Sequence, residues 1–89
     1  MEKRFKITAQ VGLHARPCTL LVTAASAFSS DVLLTYKEKT VNLKSIMGVM
    51  AQGISTGEIV TISAKGDDEE AAIKKLTEVI RTEEIGVEC

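Results

Sequence analysis

The spacing of hydrophobic residues changes after the first glycine of the chain. Phe5, Ile7 and Ala9 alternate with polar residues, which predicts a strand with one buried face that ends near Gly12. From residue 15 to residue 28 the apolar spacing is helical, and Pro17 is tolerated because it falls in the first turn. The residues that carry this helical spacing are Leu20, Leu21, Ala24 and Phe28.

Two short alternating stretches follow the first predicted helix. Val32, Leu34 and Tyr36 predict a second strand, and Val41 and Leu43 predict a third. Three charged residues at positions 37 to 39 separate the two stretches. We therefore expect the second and third strands to form a hairpin.

The second half of the chain predicts two more helices and one more strand. Ser45 precedes the segment IMGVMAQ and Gly53 follows it, which predicts a short helix of about two turns with a serine N-cap. Residues 59 to 64 are rich in β-branched side chains and predict a fourth strand. The acidic run at residues 67 to 70 suits the positive end of a third helix. The expected buried stripe of that helix is Ile73, Leu76, Val79 and Ile80.

The predicted element order, βαββαβα, defines an α+β fold. Four short strands and three amphipathic helices favour a two-layer open-faced sandwich, in which the helices cover one face of a mainly antiparallel, four-stranded sheet. With 89 residues, 45% of them hydrophobic and 26% charged, the chain can form one modest core. We expect residues 1–89 to make up a single domain.

Charge and cysteine content narrow the function classes. A net charge of -1 and a pI near 5.8 give no general attraction to nucleic acid or to anionic lipid. No segment approaches the roughly 20 apolar residues of a membrane span, and the N-terminus lacks a signal-peptide pattern, so we expect a cytoplasmic protein without membrane insertion. Cys18 and Cys89 do not resemble a disulfide framework, and with one histidine they are too few for a closed zinc site. We expect no metal and no cofactor.

His14, the only histidine, lies where the first strand gives way to the first helix. A helix start has free backbone N–H groups that bind anions, and Ala15, Arg16 and Cys18 could supply them, whereas Pro17 cannot. A neutral imidazole is a nucleophile at cellular pH. Because Arg16 adds a forked positive charge, this turn is suited to binding a phosphoryl group.

Other interpretations of this turn stay open from the residues alone. His14 could be a surface histidine beside a helix-starting Arg-Pro pair. It could also act as a general acid or base, although the turn contains no second titratable group that would complete an acid–base pair. A non-catalytic small-molecule-binding module is a third alternative, but it gives the histidine turn no role.

Three separated segments of the chain resemble one known family. GLHARP at residues 12–17, followed by KTVNLKSIMGVM at residues 39–50 and GEIVTISAKG at residues 57–66, is similar to the HPr phosphocarriers of the bacterial phosphotransferase system. The NLKSIMGVM segment is similar to the version found mainly in low-GC Gram-positive bacteria. The resemblance covers almost the entire chain.

The resemblance implies a carrier rather than a stand-alone enzyme. His14 would accept a phosphoryl group from enzyme I, which is charged by phosphoenolpyruvate, and would pass it to enzyme IIA units of sugar permeases. Arg16 would neutralise the phosphoryl oxygens, and Pro17 would fix the first helical turn. Two positions depart from the common pattern. Val11 stands where many relatives have a polar residue, and Cys18 stands where a small residue is usual.

A regulatory serine is also implied by the resemblance. Ser45 matches a serine that HPr kinase/phosphorylase phosphorylates, and the modified form binds a catabolite control transcription factor; Ser45 is also simply a good N-cap. A regulatory-only relative would use Ser45 without sugar transport, but such relatives typically lack the histidine.

The second predicted helix has more apolar residues than a single buried stripe needs. We therefore expect some of these side chains to be exposed and to contact partner proteins. We expect Ile46 and Met47 to dock partners, joined by Leu20 and Leu21 only if these are exposed, with Val49 and Met50 as core candidates.

Overall fold

A computed structural model describes all 89 residues as five strands and three helices. The elements are β1 (Glu2–Ile7), α1 (Ala15–Ser26), β2 (Asp31–Tyr36), β3 (Lys39–Asn42), α2 (Ile46–Met50), β4 (Ile59–Lys65), α3 (Glu69–Thr82) and β5 (Gly86–Glu88). The predicted order βαββαβα is confirmed, with one further strand at the C-terminus.

The five strands form one antiparallel sheet in the order β3-β2-β4-β1-β5. Its register places buried residues opposite one another, as in the pairs Phe5 with Val60 and Leu34 with Ile62. Residues between these positions, such as Arg4, point to the other face and are exposed. One face is therefore buried and the other open, as the alternating pattern predicts.

The helices cover the buried face of the sheet. α1 contributes Leu21 and Ala25 to the core, and α2 contributes Val49. The buried residues of α3 are Ala72, Ile73, Leu76 and Ile80. All three helices thus belong to one layer, and the α+β open-faced sandwich is confirmed.

One additional strand and several boundaries differ from the predictions. β1 ends at Ile7 rather than near Gly12, and β3 ends at Asn42, before Leu43. β5 was not expected, because a three-residue strand is too short for a recognisable alternation. Gly86 explains how close β5 approaches β1, since a Cβ at this position would lie 2.5 Å from the Lys6 carbonyl oxygen. α1 ends at Ser26 rather than Phe28, and α2 has five residues rather than two full turns. None of the helices is long and apolar enough to span a membrane.

Candidate functional site

His14 is the N-cap residue of α1. Its backbone is extended, with φ -81° and ψ -167°, and its side chain makes no capping hydrogen bond. The residue is exposed. The imidazole is therefore available to a partner, while the backbone that carries it belongs to a helix start.

Hydrogen bonds on both sides hold the backbone of this turn. The His14 N–H donates to the Gly12 carbonyl at 3.0 Å, and the Cys18 N–H donates to the His14 carbonyl at 3.1 Å. The preceding residue, Leu13, is buried and donates its N–H to the Ile54 carbonyl at 3.0 Å. The main chain is thus held by hydrogen bonds on both sides of His14, while the imidazole itself is free.

Gly12 allows the turn to pack against the segment that follows α2. Its φ is +71°, which favours glycine, and a Cβ there would lie 2.4 Å from the Ile54 carbonyl oxygen. The Gly12 N–H and the Thr56 hydroxyl both donate to the Ala9 carbonyl. A larger residue at position 12 would therefore displace the turn that carries His14.

Two backbone amides at the start of α1 have no hydrogen-bond partner. They belong to Ala15 and Arg16, the first two residues of the helix, and both residues are exposed. The prediction that Cys18 also offers a free N–H is wrong, because that N–H already donates to His14. Pro17 is buried in the first turn and has no N–H. The anion-binding potential of the turn therefore rests on two amides.

Arg16 forms an ion pair that the sequence did not reveal. Its Nη2 lies 3.2 Å from Oε1 of Glu83, which caps the C-terminal end of α3. The Arg16 side chain is 68% exposed and that of Glu83 is 39% exposed. A pair this accessible contributes at most about 1 kcal/mol, so an incoming anion can compete for Arg16. The pairing depends on α1 packing beside α3, and no local sequence signal marks it.

Cys18 is buried directly beneath the His14 turn. Its Sγ donates a hydrogen bond to the Leu13 carbonyl at 3.2 Å. Burial raises the pKa of the Cys18 thiol above its ordinary value. Burial therefore favours the protonated Cys18 thiol and shields it from reagents, whereas the other free cysteine, Cys89, is exposed.

Ser45 is the N-cap of α2. Its side-chain Oγ accepts a hydrogen bond from the Gly48 N–H at 3.3 Å, and the residue is exposed. The predicted cap is confirmed. The hydroxyl is both a structural cap and open to a modifying enzyme.

The predicted docking residues differ in how exposed their side chains are. Ile46 and Met47 are exposed, Met47 to 80%, and Met50 is 43% exposed rather than core. We call Ile46, Met47 and Met50 the α2 patch. Leu21 is 1% exposed and cannot dock a partner, because its side chain fills the core, so the condition of exposure is not met for this residue. Leu20 is half-buried against the core and offers only part of its side chain.

One exposed apolar residue lies in the His14 turn itself. Val11 is 73% exposed and immediately precedes Gly12. The sequence singled it out as a departure from the related pattern, not as surface. The five principal surface cavities are lined by other parts of the chain and include neither Val11 nor His14. Since both residues are exposed, the His14 site is an open surface turn outside these five cavities.

Comparisons with known proteins agree on one family. The family model for the PTS HPr component phosphorylation site matches residues 1–82. The structure is similar to a histidine-containing phosphocarrier protein of Mycoplasma, with a TM-score of 0.94 and 42% identity over 97% of this chain and 98% of that chain. It is also similar to an HPr of Thermoanaerobacter tengcongensis, with a TM-score of 0.88 and 49% identity over 92% of each chain. A third match is Crh, a catabolite repression protein of Bacillus subtilis, with a TM-score of 0.73 and 45% identity over 88% of this chain and 90% of that chain.

Proposed function

Because this chain belongs to the HPr family of the bacterial phosphotransferase system, we propose that His14 accepts a phosphoryl group from phospho-enzyme I and passes it to enzyme IIA units of sugar permeases. One observation supports this most strongly. The exposed imidazole of His14 stands at the start of α1, beside two amides without partners and a displaceable arginine. We expect the exchange to occur in the cytoplasm, where phosphoenolpyruvate is made.

The nucleophile is the unprotonated ring nitrogen of neutral His14. Its lone pair attacks phosphorus while the bond between phosphorus and the donor breaks, so one P–N bond forms as the donor's bond is lost. The family resemblance implies Nδ1 as the attacking atom. The His14 side chain makes no hydrogen bond to the rest of the chain, so the ring has no internal partner to give up before it reacts.

Charge on the transferred group is met by Arg16 and the helix start. The Ala15 and Arg16 amides are the donors nearest to His14 along the chain that lack an acceptor. The guanidinium of Arg16 offers two parallel N–H donors to phosphoryl oxygens once it leaves Glu83. The exposed pair with Glu83 contributes at most about 1 kcal/mol, so a bidentate contact with a phosphoryl group of higher charge can replace it.

The carrier supplies half of the transfer site and its partners supply the rest. The α2 patch offers exposed isoleucine and methionine side chains, and methionine adapts to differently shaped surfaces. We propose that Ile46 and Met47 of this patch dock both enzyme I and the enzyme IIA units, with Leu20 at its margin. The carrier is then consumed and regenerated in each cycle rather than acting as an enzyme alone.

The exposed hydroxyl of Ser45 favours a second, regulatory role. We propose that HPr kinase/phosphorylase phosphorylates Ser45 and that this form binds a catabolite control transcription factor. A phosphate on a helix N-cap is compatible with the helix dipole, so α2 stays folded. It nevertheless adds about two negative charges next to Ile46 and Met47, which should weaken docking of enzyme I.

A relay assay separates the carrier function from a regulatory-only function. The chain is added in catalytic amounts to phosphoenolpyruvate, enzyme I and an enzyme IIA, and phosphate on the enzyme IIA is counted. The carrier proposal predicts many turnovers with the unmodified protein and none with His14→Ala. Turnover by neither protein, combined with an acid-stable phosphate on Ser45 from the kinase and ATP, would support the regulatory-only alternative.

A further inference from the structure

Cys18 donates hydrogen bonds to the two peptide carbonyls on either side of the His14 α-carbon, those of Leu13 and His14. Its backbone N–H donates to the His14 carbonyl at 3.1 Å, and its Sγ donates to the Leu13 carbonyl at 3.2 Å. Any residue in this helical position would make the first bond. The second bond depends on the cysteine side chain.

The Leu13 carbonyl has no other donor. Four residues further along the chain, where a helical N–H would reach back, stands Pro17, which has none. Leu13 is buried, so water is a poor substitute for the missing donor. The side chain of Cys18 is fully buried and, because burial raises its pKa, keeps the S–H proton that it donates. The thiol thus satisfies a carbonyl that the proline leaves unpaired.

We propose that the Cys18 thiol is a positioning residue for His14, which holds the Leu13–His14 peptide in the orientation from which the imidazole leaves the helix start. The other polar groups of this backbone are already fixed, since the Leu13 N–H is bound to Ile54 and the His14 N–H to Gly12. The His14 N–H lies on the same peptide plane as the Leu13 carbonyl, so loss of the thiol bond leaves this plane held by one hydrogen bond instead of two, and the direction of the His14 side chain is then set less firmly. This inference rests on the proposed phosphoryl transfer for its effect on rate, but not for its effect on local order.

Three substitutions of Cys18 test the proposal. Cys18→Ser keeps a hydroxyl donor, Cys18→Ala removes the donor, and Cys18→Val removes the donor but fills the space. Urea unfolding establishes that each variant is folded. The readouts are the NMR order parameter of the His14 amide, the carbonyl carbon shift of Leu13, and kcat and KM for phosphoryl transfer from enzyme I.

We expect the presence of a hydrogen-bond donor at position 18, and not the volume of the side chain, to determine how ordered His14 is. We expect the order parameter of His14 to fall below the rigid value of about 0.85 in the Ala and Val variants and to be retained in the Ser variant. The same two variants should lose about two- to fivefold in kcat with KM unchanged, as expected for one weak hydrogen bond. An ordered His14 amide in the Ala and Val variants, or an equal loss of kcat in the Ser variant, overturns the proposal. If the unmodified protein takes up no phosphoryl group, the proposed function fails, and the order parameters still decide the role of Cys18.

Discussion

The Arg16 guanidinium lies 3.2 Å from the Glu83 carboxylate, so the arginine nearest to His14 in the chain is engaged before any phosphoryl group arrives. The contact joins the first turn of α1 to the C-terminal end of α3. In the proposed carrier function, a phosphoryl group on His14 would compete with the Glu83 carboxylate for this one guanidinium. Glu83 is therefore expected to tune how readily Arg16 serves the phosphorylated form.

Removal of this competitor should favour phosphorylation. We expect Glu83→Gln to shift the equilibrium between phospho-enzyme I and the phosphorylated carrier toward the carrier by up to about fivefold, because an exposed ion pair costs at most about 1 kcal/mol to break. The equilibrium is measured by quenching mixtures and quantifying both phosphoproteins. Glu84→Gln is the matched control, since Glu84 forms no ion pair. A shift of the same size in the control, or none in Glu83→Gln, would show that Glu83 does not compete for Arg16.

The packing of the His14 turn should depend on Gly12 more than on another glycine with a similar backbone. We expect Gly12→Ala to lower the free energy of unfolding by about 2 kcal/mol or more, through a strained φ and a close contact with Ile54. Gly53→Ala is the control, because its φ of +61° imposes similar strain while nothing lies within 4 Å of the added Cβ. Urea unfolding of both variants measures the difference. Equal losses would mean that the approach to Ile54 is not restrictive.

Acid should destabilise the fold partly through Asp68. Hydrogen bonds from the Ser30 hydroxyl, and then from the Ser29 backbone N–H, lower the Asp68 pKa from 3.8 to about 2. Because the folded state has the lower pKa, this carboxylate stabilises the protein above about pH 4, and its contribution is lost as the pH falls toward 2.

Unfolding by urea at several pH values measures this loss. Asp68→Asn should be less stable than the unmodified protein at pH 6, and the difference should shrink between pH 4 and pH 2. A difference that stays constant over this range would contradict the assigned role of the ionised carboxylate. Ser29→Ala offers a milder variant that removes one hydroxyl donor and leaves the backbone donors in place.

The two cysteines should react at very different rates. An aromatic disulfide reagent at pH 8 is expected to modify Cys89 rapidly and Cys18 only when the protein opens, since Cys18 is buried and its thiol pKa is raised. Absorbance at the wavelength of the released thiolate counts the modified groups. Cys89→Ser should abolish the fast phase alone. A fast phase that persists in this variant would mean that Cys18 is accessible.

The core and the elements were predictable because each depends on local spacing. Alternation at Phe5 and Ile7, and the helical period through Leu76 and Ile80, identify the faces that the structure buries. Ser45 was predictable as a cap because capping involves residues only three apart. β5 was not, since its three residues acquire a strand conformation only by pairing with β1.

The candidate site was predictable in its chemistry but not in its contacts. His14 and Arg16 followed from the helix start, whereas Glu83 lies 67 residues from Arg16 and meets it only through tertiary packing. Met50 was expected in the core but is 43% exposed, and the exposure on which a docking role for Leu21 depended is not found, because a short apolar run does not reveal which side chains its neighbours cover. The hydrogen bond from Cys18 to Leu13 depends on the three-dimensional packing of the turn, although Pro17 already indicated a missing donor.

His14 is the proposed acceptor of the phosphoryl group. The most direct test incubates the protein with phosphoenolpyruvate and an enzyme I that is active on another HPr, and measures intact mass before and after mild acid. We predict one added phosphoryl group that acid removes, as expected for a phosphorus–nitrogen bond, and that His14→Ala never acquires. An unmodified mass, or an acid-stable group that persists in His14→Ala, would contradict the carrier function.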